Sequence, residues 1–154
     1  MTPQSAAGVE VVIEDEGWSR RLADAPARIE TWVRAALGGV SGEVAVLLTS
    51  DEAMRVLNRD LRGRDRPTNV LSFPAHESAA PHLGDIALGL GTCEREALEQ
   101  GKSLEAHLAH LVVHGTLHLL GHDHETDDEA EAMEALERTI LAGMGVSDPY
   151  AVSP

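Results

Sequence analysis

The chain has 154 residues, 43% of them hydrophobic and 3% aromatic, enough for one domain with a core built mainly from Leu, Val, Ile and Ala. No apolar run approaches the ~20 residues of a membrane span, the first ten residues lack the basic start and apolar block of a secretory signal, and the lone Cys93 excludes an intrachain disulfide, so the cytoplasm is the expected compartment. A formal charge of −14 argues against general polyanion binding, yet Arg55, Arg59, Arg62, Arg64 and Arg66 share one short window, and net charge does not describe the field there.

Val9, Val11 and Ile13 alternate with polar residues and predict a half-buried strand. From Trp18 to Leu37, the spacing of Ile29, Trp32, Val33, Ala36 and Leu37 predicts an amphipathic helix ended by Gly38-Gly39. Glu43 to Thr49 predicts a strand, and Ser50-Asp51-Glu52 opens a helix that runs out near Arg62-Gly63. A short strand over Asn69 to Phe73, an exposed loop over Ala75 to Leu83 and another strand over Asp85 to Leu90 follow. Thr92 is expected to cap a helix to Gln100, with Cys93 a small buried residue on it. Ser103 caps a long helix over about 104–120, and Thr126 with Glu129 has the form of a capping box. The last helix turns Met133, Leu136, Ile140 and Leu141 inward and stops at Gly143; from about 147 to 154 a loose tail is expected. The pattern predicts a single α/β domain over 1–154, with a mixed sheet of about four strands and about five helices.

The long helix carries a stripe of His107, His110, His114 and His118 on one side. His114 and His118 are four apart, so their Cβ atoms lie roughly 5–6 Å from each other. Gly121 can end the helix in a left-handed conformation and let His124 approach the same point. Three neutral imidazoles with a fourth position open describe a catalytic zinc site, although spacing alone also permits His110 and His114 as the pair. A metallopeptidase helix carries Glu directly after its first histidine as general base. Here that residue is Gly115, which transfers no proton.

The segment His114-Gly115-Thr116-Leu117-His118-Leu119-Leu120-Gly121-His122-Asp123-His124-Glu125 resembles the signature of the YbeY endoribonucleases, a bacterial family associated with ribosomal RNA maturation and ribosome quality control. Two further blocks resemble that family in the same order: Leu57-Asn58 through Arg62, Asp65 and Pro67-Thr68-Asn69-Val70-Leu71-Ser72-Phe73-Pro74, then Leu83-Gly84-Asp85-Ile86. His122 departs from the tyrosine expected there and leaves a fourth potential donor near the metal. The resemblance implies an α/β fold with the metal at the floor of a cleft, one zinc ion bound by His114, His118 and His124, and Arg62 as the functionally important arginine. It also implies single-stranded ribosomal RNA as substrate, small-subunit 3′-end maturation as the process, and the ribosome or its proteins as partners, with no membrane.

In that chemistry a three-histidine zinc can make water more acidic and polarise a phosphoryl oxygen, while a fixed guanidinium stabilises charge on the phosphate. Arg62 is the choice for the latter role, with Arg59, Arg64 and Arg66 expected to steer the RNA backbone or to form a solvated loop. No general base stands out: Asp85, Asp123 and Glu125 are candidates, each with a structural alternative. Phe73 could stack on a base or serve the core. The competing readings are a ribosome-assembly factor in which zinc organises the fold, and a metallohydrolase of another substrate.

Overall fold

The structure, a computed structural model, describes residues 8–151. Four strands, β1 (Val9–Ile13), β2 (Glu43–Thr49), β3 (Val70–Pro74) and β4 (His82–Gly89), form one sheet in the order β1-β2-β4-β3. β1 and β4 both run parallel to β2, and β3 runs antiparallel to β4, so the sheet is mixed as expected. Among the described residues six α-helices accompany it: α1 (Gly17–Arg21), α2 (Ala25–Leu37), α3 (Asp51–Arg62), α4 (Leu90–Glu99), α5 (Leu104–Leu119) and α6 (Asp127–Gly143).

The sixth helix arises because the single helix expected from Trp18 to Leu37 is broken. Asp24 adopts a left-handed φ of 54° and Pro26 sits in the first turn of α2, where its missing N–H costs no helical hydrogen bond. Two other boundaries also moved. β4 begins at His82 rather than Asp85, and the loop before it contains a 3-10 turn at Glu77–Ala79. Thr92 does not cap α4, which starts at Leu90; its N–H and hydroxyl instead donate to Asp51 Oδ1, both at 2.9 Å. Cys93 is buried on α4.

The strands alternate, and the sheet therefore has two unlike faces. Val44, Val46, Leu48, Ile86 and Leu88 point into the main core with Trp18, Ile29, Val33, Leu108, Val112 and Leu141. The opposite face carries a smaller cluster in which Met54 and Leu57 of α3 meet Leu47, Leu71, Phe73 and Ala87. α5 is the central helix, packed against α2, α4, α6 and the strands β3 and β4. Ser103 caps it by accepting from Ala106 N at 3.0 Å, and its residues from Leu108 to Leu119 are mostly buried. Gly115 lets α5 sit close on β3, since a Cβ there would meet Ser72 Oγ at 2.9 Å.

Candidate metal centre and cleft

The last turn of α5 brings the histidines together. Gly121 N–H donates to His118 O and His122 N–H to Leu117 O, both at 3.0 Å, with Gly121 at φ 99°. This is the Schellman arrangement, which satisfies the free carbonyls of a helix end and reverses the chain. The reversed segment returns the His122 carbonyl to His118 Nδ1 at 3.0 Å and carries His124 back to the helix. The His124 ring centroid then lies 5.4 Å from that of His114 and 5.0 Å from that of His118. One donor nitrogen from each of the three rings lies within 4.8 Å of the others.

Hydrogen bonding assigns the tautomers. His114 Nδ1 is 2.6 Å from Glu137 Oε2 and His118 Nδ1 is 3.0 Å from the His122 carbonyl. Carboxylate and carbonyl oxygens only accept, so both Nδ1 atoms carry protons and both Nε2 atoms of the neutral rings are bare. These two lone pairs face each other at 3.1 Å. Such a contact is repulsive without a cation between them. A proton would bridge two nitrogens, whereas a third imidazole alongside suits a metal ion. A tetrahedral site with metal–nitrogen bonds of about 2.0–2.1 Å has donor–donor edges of about 3.3–3.4 Å, close to the spacing seen. The residues present therefore fit a zinc-like ion. Burial and the neighbouring His114 and His124 also hold His118 below its ordinary value, which favours the neutral form that binds metal.

His107 and His110, which share the stripe, are engaged elsewhere. His107 Nε2 donates to Glu96 Oε1 at 2.9 Å, tying α5 to α4. His110 Nε2 donates to Glu137 Oε1 at 3.0 Å. His110, His114 and Glu137 make a second set with donor atoms within 4.8 Å, but its nitrogens already give their protons to the carboxylate. Glu137 is 0% exposed on α6. Burial pushes its carboxyl up, and donors from His110, His114 and Tyr150 together outweigh that and hold it well below the usual carboxylate range. No motif in the sequence marked Glu137 for this role. The available signal was its place at i+4 between Met133 and Leu141, on the buried side of α6.

His114 and His118 line a cleft of about 480 Å³ together with Arg62, Ser72, His122 and Asp123. Arg62 ends α3, far from α5 in sequence, and reaches the cleft because β3 lies between them. Its Nη2 donates to the Ser72 carbonyl at 2.8 Å, and its guanidinium lies 5.7 Å from the Phe73 ring centre. Phe73 thus supports Arg62 while packing in the smaller cluster. Asp123 Oδ1 accepts from His124 N–H at 2.8 Å. Asp85 lies off the cleft, its Oδ1 3.2 Å from His82 Nε2.

The other arginines differ. Arg59 Nε donates to Asp60 at 3.0 Å on exposed α3, and Arg64 is exposed in the following loop; neither lines the cleft. Arg55 is held by Glu52 and Asp65, which leaves it little to offer a phosphate.

Gly115 faces Ser72 and Ile86. The position that carries the general base in a metallopeptidase is therefore directed into helix–strand packing here. Among the described residues no helix is long and apolar enough to cross a membrane.

The sequence model of the family described as Endoribonuclease YbeY matches residues 13–145. A protein from Azorhizobium caulinodans named Endoribonuclease YbeY is 52% identical, covering 94% of this chain and 96% of its own. One of the same name from Rhodopseudomonas palustris is 48% identical over 98% of this chain and 85% of its own. The solution structure of TM1509 from Thermotoga maritima is similar in fold, with a TM-score of 0.56 and 29% identity over 94% of this chain and 99% of that one.

Proposed function

The chain belongs to the YbeY endoribonuclease family, and from that membership we propose that it is a zinc-dependent endoribonuclease acting on single-stranded ribosomal RNA. The observation that carries this reading is one cleft lined by Arg62, His114 and His118, with His124 beside the two rings. His114, His118 and His124 would hold the ion. When bound, zinc supplies Lewis acidity, polarising a phosphoryl oxygen and making water more acidic.

The chain's own residues do the rest. Arg62 binds the scissile phosphate. Its Nη2 is fixed on the Ser72 carbonyl and its plane is supported by Phe73, so the remaining N–H groups meet the phosphate oxygens without reorganisation. Asp123 is the carboxylate on the cleft wall, and its Oδ1 is engaged by His124 N–H. Its Oδ2 is the atom suited to take a proton from the attacking hydroxyl. Arg59 and Arg64 lie outside the cleft and steer the RNA backbone. The resemblance of the three sequence blocks supports small-subunit ribosomal RNA 3′-end maturation as the process, ribosomal proteins as partners and the cytoplasm as the setting.

The test is RNA cleavage by purified, zinc-loaded protein. Arg62→Ala should lower kcat by about 10²–10³, the loss typical of removing one donor to transition-state charge, with zinc content unchanged. His114→Ala should lose both zinc and cleavage. If folded His114→Ala protein cuts single-stranded RNA as fast as the parent, the zinc-nuclease reading is wrong. Ribosome binding by a parent that cuts no RNA would instead favour an assembly factor.

A further inference from the structure

The C-terminal tail is tied to the back of the histidine cluster. Tyr150 donates its hydroxyl to Glu137 Oε1, and that oxygen also accepts from His110 Nε2 at 3.0 Å. The other oxygen, Oε2, accepts from His114 Nδ1 at 2.6 Å. The carboxylate is fully buried, and its charge is tolerable there only with donors on both oxygens. His110 Nδ1 is buried without a partner, as a neutral ring protonated at Nε2 allows. The tail itself is held at three points. Lys102 Nζ donates to the Pro149 carbonyl at 3.2 Å, Arg138 Nε to Asp148 at 3.1 Å, and the Arg138 guanidinium lies 5.3 Å from the Tyr150 ring centre.

We propose that Glu137 is the positioning residue for His114, and that Tyr150 and His110 lock Glu137 in place, so that docking of the C-terminal tail and metal binding strengthen each other. The inference rests on His114 being a metal ligand. Glu137 fixes the proton on Nδ1 and so presents Nε2 as the bare donor. A carboxylate behind a ligand histidine also orients the ring and raises its basicity. Tyr150 and His110 both engage Oε1, which holds the carboxylate rotamer that aims Oε2 at His114. Coupling between the tail and the metal is then reciprocal, as binding linkage requires.

The experiment measures zinc affinity by chelator competition on the full chain, with thermal unfolding of the metal-free protein as a separate measure of the fold. Glu137→Gln keeps the side-chain shape and removes the charge; it should weaken zinc about 10–100-fold, as is typical for such outer partners. It should also change the visible spectrum of the cobalt(II) form. Tyr150→Phe removes one oxygen from a half-buried tail residue, should fold like the parent, and should weaken zinc several-fold. As Tyr150 is the sole tyrosine, the ring resonances of labelled tyrosine report the tail directly and should shift when zinc is added. Glu96→Gln disturbs a comparable carboxylate–histidine pair on the same helix, at His107, and should lower stability with zinc affinity unchanged.

A folded Glu137→Gln protein with parental zinc affinity overturns the positioning role. Parental affinity in Tyr150→Phe with tyrosine resonances indifferent to zinc overturns the coupling to the tail. Should Glu137→Gln not fold, Tyr150→Phe and the tyrosine resonances still decide. A parent that binds no zinc removes the metal reading itself, a result distinct from either of these.

Discussion

Replacing Gly115 by alanine puts a Cβ 2.9 Å from Ser72 Oγ and 3.4 Å from two carbons of Ile86. Two effects favour the change: about 0.8–1 kcal/mol of helix propensity and about 0.8 kcal/mol for a buried methyl. Two oppose it. Ser72 must swing away from its 3.3 Å hydrogen bond to the Gly115 carbonyl, a loss of about 0.5–1.5 kcal/mol. Crowding against Ile86 costs about 1–3 kcal/mol. The net is a loss of about 0–3 kcal/mol, read as a lower urea midpoint at unchanged m-value. Gly115→Glu forces an unpaired carboxylate into the same gap and should cost more than about 4 kcal/mol. Adding Ser72→Ala to Gly115→Ala removes the closest contact, so the double variant should be more stable than the summed singles by at least about 0.5 kcal/mol. If Gly115→Glu unfolds at the parental urea midpoint, α5 is not seated on β3 as described. Position 115 would then have room for a peptidase base.

Burial, with Glu96 and Asp51 adding to it, pushes the Cys93 thiol up. The unfolded chain then ionises this thiol first, so its contribution to stability is complete below about pH 8.5 and lost as pH rises above that, by up to about 1.4 kcal/mol per unit. Cys93→Ala should flatten the fall between pH 8.5 and 10 measured by urea unfolding, and equal slopes would contradict the burial. His118 lies below its ordinary value, so zinc should stay bound at about pH 6.5 and be released only in more acid solution; full occupancy at about pH 5 argues against a site of histidines alone. RNA affinity should fall steeply with salt, and Arg59→Ala or Arg64→Ala should each reduce the log–log slope by about 1. A slope unchanged in both variants removes these residues from the RNA path.

Much of the architecture was legible in the chain because its signals are local. Ser50, Ser103 and Thr126 each cap the helix expected of them, while alternation marked β1 and a Val/Leu-rich run marked β2 within the bounds observed. Local signals failed where a competing one lay unweighed. Pro26 broke the helix drawn from Trp18, and Thr92, although a good capping residue, was drawn to Asp51 on α3. His114 and His118 could be seen to share a helix face, and Gly121 to turn His124 towards them, since pitch and turn geometry follow from neighbouring residues.

The resemblance favoured His118 over His110, but only the tertiary structure gives the physical reason. Both lie four residues from His114, so helical pitch treats them alike. The difference is Glu137 on α6, which engages His110, whereas the chain reversal past Gly121 leaves His118 Nε2 facing His114. The same holds for Arg62, brought to the histidines by α5 packing on β3, and for Tyr150, brought behind them by the tail. These contacts join residues distant in the chain, and their geometry is decided by how helices and sheet pack. A sequence carries the chemistry of such residues without their distances.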